Sequence, residues 1–347
     1  MRYFLTFIFI MFAQFAHADI SIASFNIKHL GWNNGKDLNA LNKIISQFDL
    51  VAIQELMDEI ELIKLEKLLE KETGLEWSSM ASHPVGRSRY KEQYGFIWNE
   101  NVSYETGAVV YIDDRDVFER EPMSLQFKSN ITGKSFVLAS LHVVFGDSVS
   151  DREYEIKALS SYWDWLGDVY PDVPRILAGD FNLPPSHAYF KLLRDKSKPL
   201  ITSGKTTISK TEGRYVSLYD NLFIEKDGFD ISGYGIYKFP KYLKMSHEVA
   251  HKTVSDHVPV YLTLGNKNLL FSKESTNYKG YSESEPECID INSSSINELS
   301  KLSGVGDKRA GDIVSGRPWS NAEELDKING IGPATLKKIL NHPELCD

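Results

Sequence analysis

The chain alternates between two hydrophobic periods. Residues 20–27 set apolar against polar positions one by one, the two-residue period of a strand. Leu38, Leu41, Ile44 and Ile45 recur at helical spacing, and 50–53 is a short run suited to a buried strand. Residues 60–69 are helical again, with Leu62, Leu65, Leu68 and Leu69 on one face. Further strands are predicted at 94–98, 107–112, 135–143, 174–179, 219–224 and 258–264, and a helix over 151–169. Helices interleaved with many strands predict a layered α/β domain over residues 19–265.

The pattern breaks at 266–287, a polar stretch rich in Ser, Glu and Lys that reads as a linker, although Leu269, Leu270 and Phe271 have the character to pack on the preceding core. Residues 288–347 form a second unit with a different period. Two short helical patterns each meet a glycine turn, LSGVGDKRA at 302–310 and INGIGPATL at 328–336, with a spacing of 26 residues from Gly304 to Gly330. This predicts a small all-α domain built on an internal near-repeat.

The first residues belong to neither unit. Arg2 precedes an apolar run from Tyr3 to Phe15, and Ala16-His17-Ala18 follows. That is the form of a signal peptide over residues 1–18, with the mature chain exported to the periplasm or the medium and free of the membrane. The run is short for a bilayer span, which disfavours an anchor helix. The 347 residues carry 48 acidic and 39 basic side chains, a formal net charge of −9. Bulk charge therefore does not attract polyanions, and any nucleic-acid contact must rest on local sites and bound cations. The two cysteines, Cys288 and Cys346, both lie in the terminal unit. Export favours their pairing, and closing so long a loop is worth roughly 4 kcal/mol in the chain-entropy model.

The ends of the predicted strands carry polar residues that packing would not select. They are Asn26, Glu55, His142, Asp180 with Asn182, and Asp256 with His257, while YDNLFI adds Asp220 and Asn221. Each alone is an ordinary turn or cap residue. Together they form a series at the edge where layered α/β folds assemble sites. Carboxylate and amide oxygens favour Mg²⁺, Mn²⁺ or Ca²⁺ over zinc. Such a cation and two histidines suit hydrolysis of a phosphate ester.

The order QE, LH, GDFN, YDN and SDH resembles the endonuclease/exonuclease/phosphatase superfamily across essentially all of 19–265, and GRSRYKEQYGFI at 86–97 resembles its deoxyribonuclease I branch. The resemblance implies a sandwich of two β-sheets flanked by helices, and a Mg²⁺-dependent endonuclease leaving 5′-phosphates. It implies Glu55 as a metal ligand, with Asp256 and Asn26 at the metal and phosphate site. His142 with Glu92, and His257 with Asp220, match the family's histidine–carboxylate pairs. Asp180 and Asn182 match its phosphate- and metal-contacting pair, and Tyr90 and Arg87 its DNA-contacting residues. Two features depart from the branch. The arginine shortly after QE is absent, since Leu56, Met57 and Asp58 follow Glu55, and the domain has no cysteines. His29, His83, His187, His247 and His251 fall outside the motifs and read as surface or structural.

The turns Gly304-Val305-Gly306 and Gly330-Ile331-Gly332 resemble helix-hairpin-helix motifs, and the terminal unit is similar to the small DNA-binding domain of bacterial competence receptors. Glycine there lets backbone N–H groups at a helix start approach a phosphate without net positive charge. The reading is a monomeric, exported endonuclease acting on double-stranded DNA. A phosphatase or phospholipase C-like phosphodiesterase is the alternative, and a non-enzymatic DNA receptor with a degenerate nuclease fold is a third class.

Overall fold

A computed structural model describes residues 18–33, 35–267, 269, 289–292, 294–319, 322–340, 342 and 345. The predicted leader, Leu270, Phe271, most of the 266–287 stretch, Cys288 and Cys346 lie outside the described residues.

Two six-stranded mixed sheets lie face to face. The first has the order β11-β12-β1-β2-β4-β3, from β1 (Ala18–Leu30), β2 (Leu50–Leu56), β3 (Trp77–Ala81), β4 (Gln93–Asn99), β11 (Ile231–Ile236) and β12 (Val260–Gly265). The second has the order β5-β6-β7-β8-β10-β9, from β5 (Val102–Val110), β6 (Met123–Ser129), β7 (Ser135–His142), β8 (Arg175–Asp180), β9 (Ser197–Pro199) and β10 (Asp220–Glu225). Each sheet is antiparallel except for one central parallel pair, β1 with β2 and β7 with β8.

Alternation along β1 shows how the layers form. Ile20 and Ile22 enter the core between the sheets, with Leu50, Phe96, Leu125, Phe127, Leu138, Ile176 and Leu222. Ala23, Phe25 and Ile27 point the other way, against α1 (Leu38–Ile45) and α2 (Glu59–Thr73). On the far side, Val137, Ala139, Leu141 and Leu177 pack under α3 (Glu153–Val169) and α4 (Lys191–Lys196). Both faces of both sheets are thus covered, and Leu269 packs on the first outer core as its character predicted. Two short helices, α5 (Phe239–Leu243) and α6 (His247–Thr253), lead into β12.

Several strands differ from the hydrophobic reading. β5 begins at Val102 and ends at Val110, short of the predicted 112. β3, β6, β9 and β11 had no counterpart in that reading. β11 (ISGYGI) is an edge strand with two glycines and no fully buried residue, so it lacks an apolar signal.

Beneath one edge of the sandwich a buried polar bridge ties the sheets together. Gln54 donates to Ser140 Oγ at 2.8 Å and to Ser24 Oγ at 3.2 Å. The bridge fixes the register of β1 and β2 against β7 just below the ends that carry Glu55 and His142.

The terminal unit has its own core of Leu299, Leu302, Val305, Ala310, Ile313, Leu325, Ile328, Ile331 and Ile339. Its helices are α7 (Ile296–Leu299), α8 (Asp307–Ser315) and α9 (Pro333–Leu340). Gly304 and Gly330 take φ of 87° and 92°, the left-handed region that the turns require. Gly306 caps α8, and a side chain added at Gly306 or Gly332 would meet open space. The unit touches the larger domain where Lys205 Nζ lies 3.4 Å from Asp290 Oδ2 and Arg214 donates to the Leu345 carbonyl. Ile289 and Leu345, the neighbours of the two cysteines, form a parallel bridge.

Candidate active site

Strand register builds half of the site. His142 on β7 is the cross-strand partner of Asp180 on β8, and Asp180 is the partner of Asp220 on β10. Residues up to 78 positions apart in the chain thus form one row at the strand ends. Gly179 makes the row tight: its φ is +149°, and a Cβ there would lie 2.0 Å from the Leu141 carbonyl. Only glycine lets β8 approach β7 that closely ahead of Asp180.

The other half comes from a bulge. The pairing of β2 with β4 shifts between Ile53 and Leu56, and that of β1 with β2 shifts between Asn26 and Leu30. Glu55 sits in this irregularity with φ +58°. A bulge re-aims a side chain that regular alternation would send elsewhere, and here it brings Glu55 to Asn26. Asn26 Nδ2 donates to Glu55 Oε1 at 2.9 Å and to Asp180 Oδ2 at 3.1 Å. Left-handed φ recurs at Lys28, His29 and Asn182. Such strain in residues with side chains gathers at functional positions.

Two histidine–carboxylate pairs converge on this centre. His142 Nδ1 lies 2.8 Å from Glu92 Oε1, and His257 Nδ1 lies 2.8 Å from Asp220 Oδ2. Both Nε2 atoms lie 3.6 Å from Asp180 Oδ2. All five side chains are buried. Burial alone would lower the His142 pKa, and Arg120 adds to that, but the charge and hydrogen bond of Glu92 and the charge of Asp180 raise it above its ordinary value. Burial also opposes charge on His257, and Asp220 with Asp180 overcomes it, holding its pKa well above the ordinary value. Burial meanwhile pushes Asp220 up, so this pair retains a proton strongly. Glu92 moves the other way: burial would raise its pKa, but His142 and Arg120 hold it below the usual carboxylate value.

The predicted residues Asn26, Glu55, Glu92, His142, Asp180, Asn182, Asp220 and His257 therefore meet. Asn182 donates its backbone N–H to Asp180 Oδ1 at 2.9 Å and its side-chain amide to the Val143 carbonyl at 2.8 Å. Asp256 stands at the rim and pairs with Lys28 at 2.7 Å, so its charge is already met by a cation. Tyr90 donates to Glu92 Oε2 at 3.3 Å. Arg87 is drawn to the 113–119 loop, donating to the Phe118 carbonyl at 2.9 Å and lying 3.1 Å from Asp116.

Four participants were not visible in the motifs. His29, read as surface or structural, places Nε2 3.0 Å from Glu55 Oε2. Lys28 holds Asp256 and lies 3.5 Å from His251 Nδ1. Arg120 is buried beside Glu92 at 3.5 Å and donates to the carbonyls of His142 and Val143. Arg152 donates to the Asn182 carbonyl at 2.7 Å. A lone basic residue has no periodic signature, so only packing reveals these roles.

Asp180, Asp220 and His257 can bring one ligand atom each within 4.8 Å of one another. The direct His257–Asp220 hydrogen bond, however, commits those two groups to each other. Glu55 and Asp180 fit a hard cation better, because one amide, Asn26, holds an oxygen of each at 2.9 and 3.1 Å, and such an ion takes oxygen donors.

The Endonuclease/Exonuclease/phosphatase family pattern matches residues 23–257. The chain belongs to that family. A Helix-hairpin-helix motif matches residues 285–342. A protein named Deoxyribonuclease from Thioalkalivibrio sp. (strain K90mix) is 42% identical over 341 residues, covering 95% of this chain and 93% of that one. Deoxyribonuclease gamma of Rattus norvegicus is 29% identical over 289 residues, covering 74% and 88%. Among solved structures, a Bacteroides thetaiotaomicron mannosyl-6-phosphatase superposes with a TM-score of 0.53 at 16% identity, covering 70% of this chain and 98% of that one. The human Nocturnin catalytic domain gives 0.52 at 16% identity, covering 71% and 93%. At those identities the superpositions speak for the family fold, and the family's nuclease side is supported by the sequence relatives. No described helix is long and apolar enough to cross a membrane.

Proposed function

We propose that the protein is an exported, divalent-metal-dependent endodeoxyribonuclease that hydrolyses phosphodiester bonds of double-stranded DNA to 5′-phosphate products. The observation that carries this reading is the convergence of two histidine–carboxylate pairs on Asp180, beside the Asn26-clamped Glu55. Relatives named deoxyribonucleases and the helix-hairpin-helix match support DNA as the substrate.

Glu55 and Asp180 are the residues that would hold the cation, whose bound form would polarise a phosphate oxygen and offset the charge that develops there. Mg²⁺ fits oxygen donors, as do Mn²⁺ and Ca²⁺. The protein's own groups manage the protons. Each imidazole has its Nδ1 fixed by a carboxylate, which leaves Nε2 facing the centre. One imidazole accepts the proton of the attacking water at Nε2, and the other donates from Nε2 to the leaving O3′. Glu92 and Asp220 set the tautomers and stabilise the charged rings. Asn182 holds Asp180 in place through its backbone N–H.

Residues 302–310 and 328–336 carry two glycine turns ahead of helix starts, an arrangement that suits backbone contact with a phosphate and supports a terminal unit that holds the duplex outside the active site. A Cys288–Cys346 disulfide belongs to the same reading, and mass spectrometry of the non-reduced exported protein checks it.

Plasmid nicking with Mg²⁺ and with EDTA, beside phosphate release from phosphoinositide and sphingomyelin, tests the function. Nicking that EDTA abolishes, without lipid hydrolysis, is the expected result. Lipid hydrolysis without nicking would establish the phospholipase C-like alternative instead.

A further inference from the structure

We propose that Trp32 is a substrate-contacting residue whose indole packs on the deoxyribose and base edge next to the scissile phosphate. This rests on the DNA-hydrolase reading above and adds to it the element that positions the duplex.

Trp32 is 52% exposed, whereas the other five tryptophans, Trp77, Trp98, Trp163, Trp165 and Trp319, are buried or half-buried. The exposed ring is nonetheless held. It stacks on His29 with centroids 4.3 Å apart and planes at 25°, and it meets Tyr90 edge-on at 5.6 Å and 87°. His29 and Tyr90 also meet edge-on at 5.9 Å. The three rings form a shelf whose inner side is fastened to the site: His29 Nε2 lies 3.0 Å from Glu55 Oε2, and the Tyr90 hydroxyl donates to Glu92. Its outer side is the indole face.

The backbone beneath is strained to present it. Lys28, His29 and Asn33 all take left-handed φ, 51°, 57° and 52°, although none is glycine. A hydrophobic ring displayed to water at such a cost in conformation, and braced by two others, has the form of a pre-organised contact. A rigid aromatic loses little freedom on binding.

The segment after Glu55 offers no cation: Leu56 is buried, and Asp58 caps α2 through Ile60 N. Lys28 is occupied by Asp256. Apolar packing on a sugar and base edge depends little on base identity, and it adds close-range hold to whatever the phosphate contacts supply. The occupant is nucleic acid because the shelf is continuous with the proposed phosphate site.

Full-length Trp32→Ala and Trp32→Phe test this. On plasmid DNA the alanine variant should lose roughly tenfold in kcat/KM, carried mainly by KM, as the loss of one stacked ring does. Phenylalanine should restore most of it. Trp32 is also the tryptophan most open to iodide, so a duplex oligonucleotide added in EDTA should protect wild-type fluorescence from iodide quenching, and Trp32→Phe should lack the protected component. An unchanged KM in Trp32→Ala, or iodide quenching that saturating duplex leaves unaltered while cleavage proceeds normally, overturns this inference alone. Neither cleavage nor protection in the wild type overturns it together with the nuclease reading.

Discussion

His142 and His257 meet at a single oxygen: each presents Nε2 3.6 Å from Asp180 Oδ2, although the two residues come from different sides of the row of strand ends. In the proposed hydrolysis, two proton-handling groups aimed at one point would serve one reacting phosphate. His142→Ala and His257→Ala should each lower the cleavage rate on the order of 10²-fold or more. The double variant should lose less than the product of the two, because they serve one step. Rates on a defined duplex measure this, and near-wild-type activity of either single variant would remove that histidine from the mechanism.

Glu92→Gln should shift the pH profile. The Glu92 charge raises the His142 pKa against burial and Arg120. A neutral amide removes the raising influence and leaves the two lowering ones, so the limb of kcat/KM that titrates His142 should move to lower pH. Stability follows the same pair. His142, raised in the folded state, contributes fully below its unfolded pKa of about 6.5 and loses that contribution as pH rises through the folded value. Glu92, depressed in the folded state, contributes above its unfolded pKa of about 4.3 and loses it as pH falls through the folded value. The variant should therefore be most destabilised between about pH 4.3 and 6.5, which thermal melts across pH would show.

Glu55→Ala should abolish plasmid nicking and leave the fold intact. Glu55 is placed by a bulge and contacts Asn26 and His29, with no part in the hydrophobic cores. Circular dichroism and a nicking assay read the two halves of the expectation, and full nicking by the folded variant would contradict the metal assignment.

A chain ending after Leu269, which keeps the Lys267–Asp49 pair and the packing of Leu269 on the catalytic domain, should keep its kcat on saturating DNA while its KM rises. The contacts it would lose include the partly exposed Lys205–Asp290 pair, and pairs of that kind are worth about 0–1 kcal/mol. With affinity starting lower, its activity at fixed subsaturating DNA should fail at lower salt than that of the full chain. Salt titrations of both forms compare them. Equal binding of long duplex by the two forms would make the glycine turns structural only.

Hydrophobic period alone predicted the layered α/β domain, the helix at 151–169 and the all-α terminal unit, because burial of repeated apolar positions dictates each element locally. The residues Glu55, His142, Asp180, Asp220 and His257 stood out because buried strand ends rarely carry such groups without reason. What pairs with what was decided by tertiary structure. The bulge that turns Glu55 toward Asn26, the Gly179 contact with Leu141 and the 3.6 Å approaches to Asp180 depend on register between strands far apart in the chain. His29, Lys28, Arg120 and Arg152 acquire roles only when folding sets them beside a carboxylate or carbonyl. Periodicity records which side of an element is buried, whereas a polar contact is fixed by the position of two groups in space.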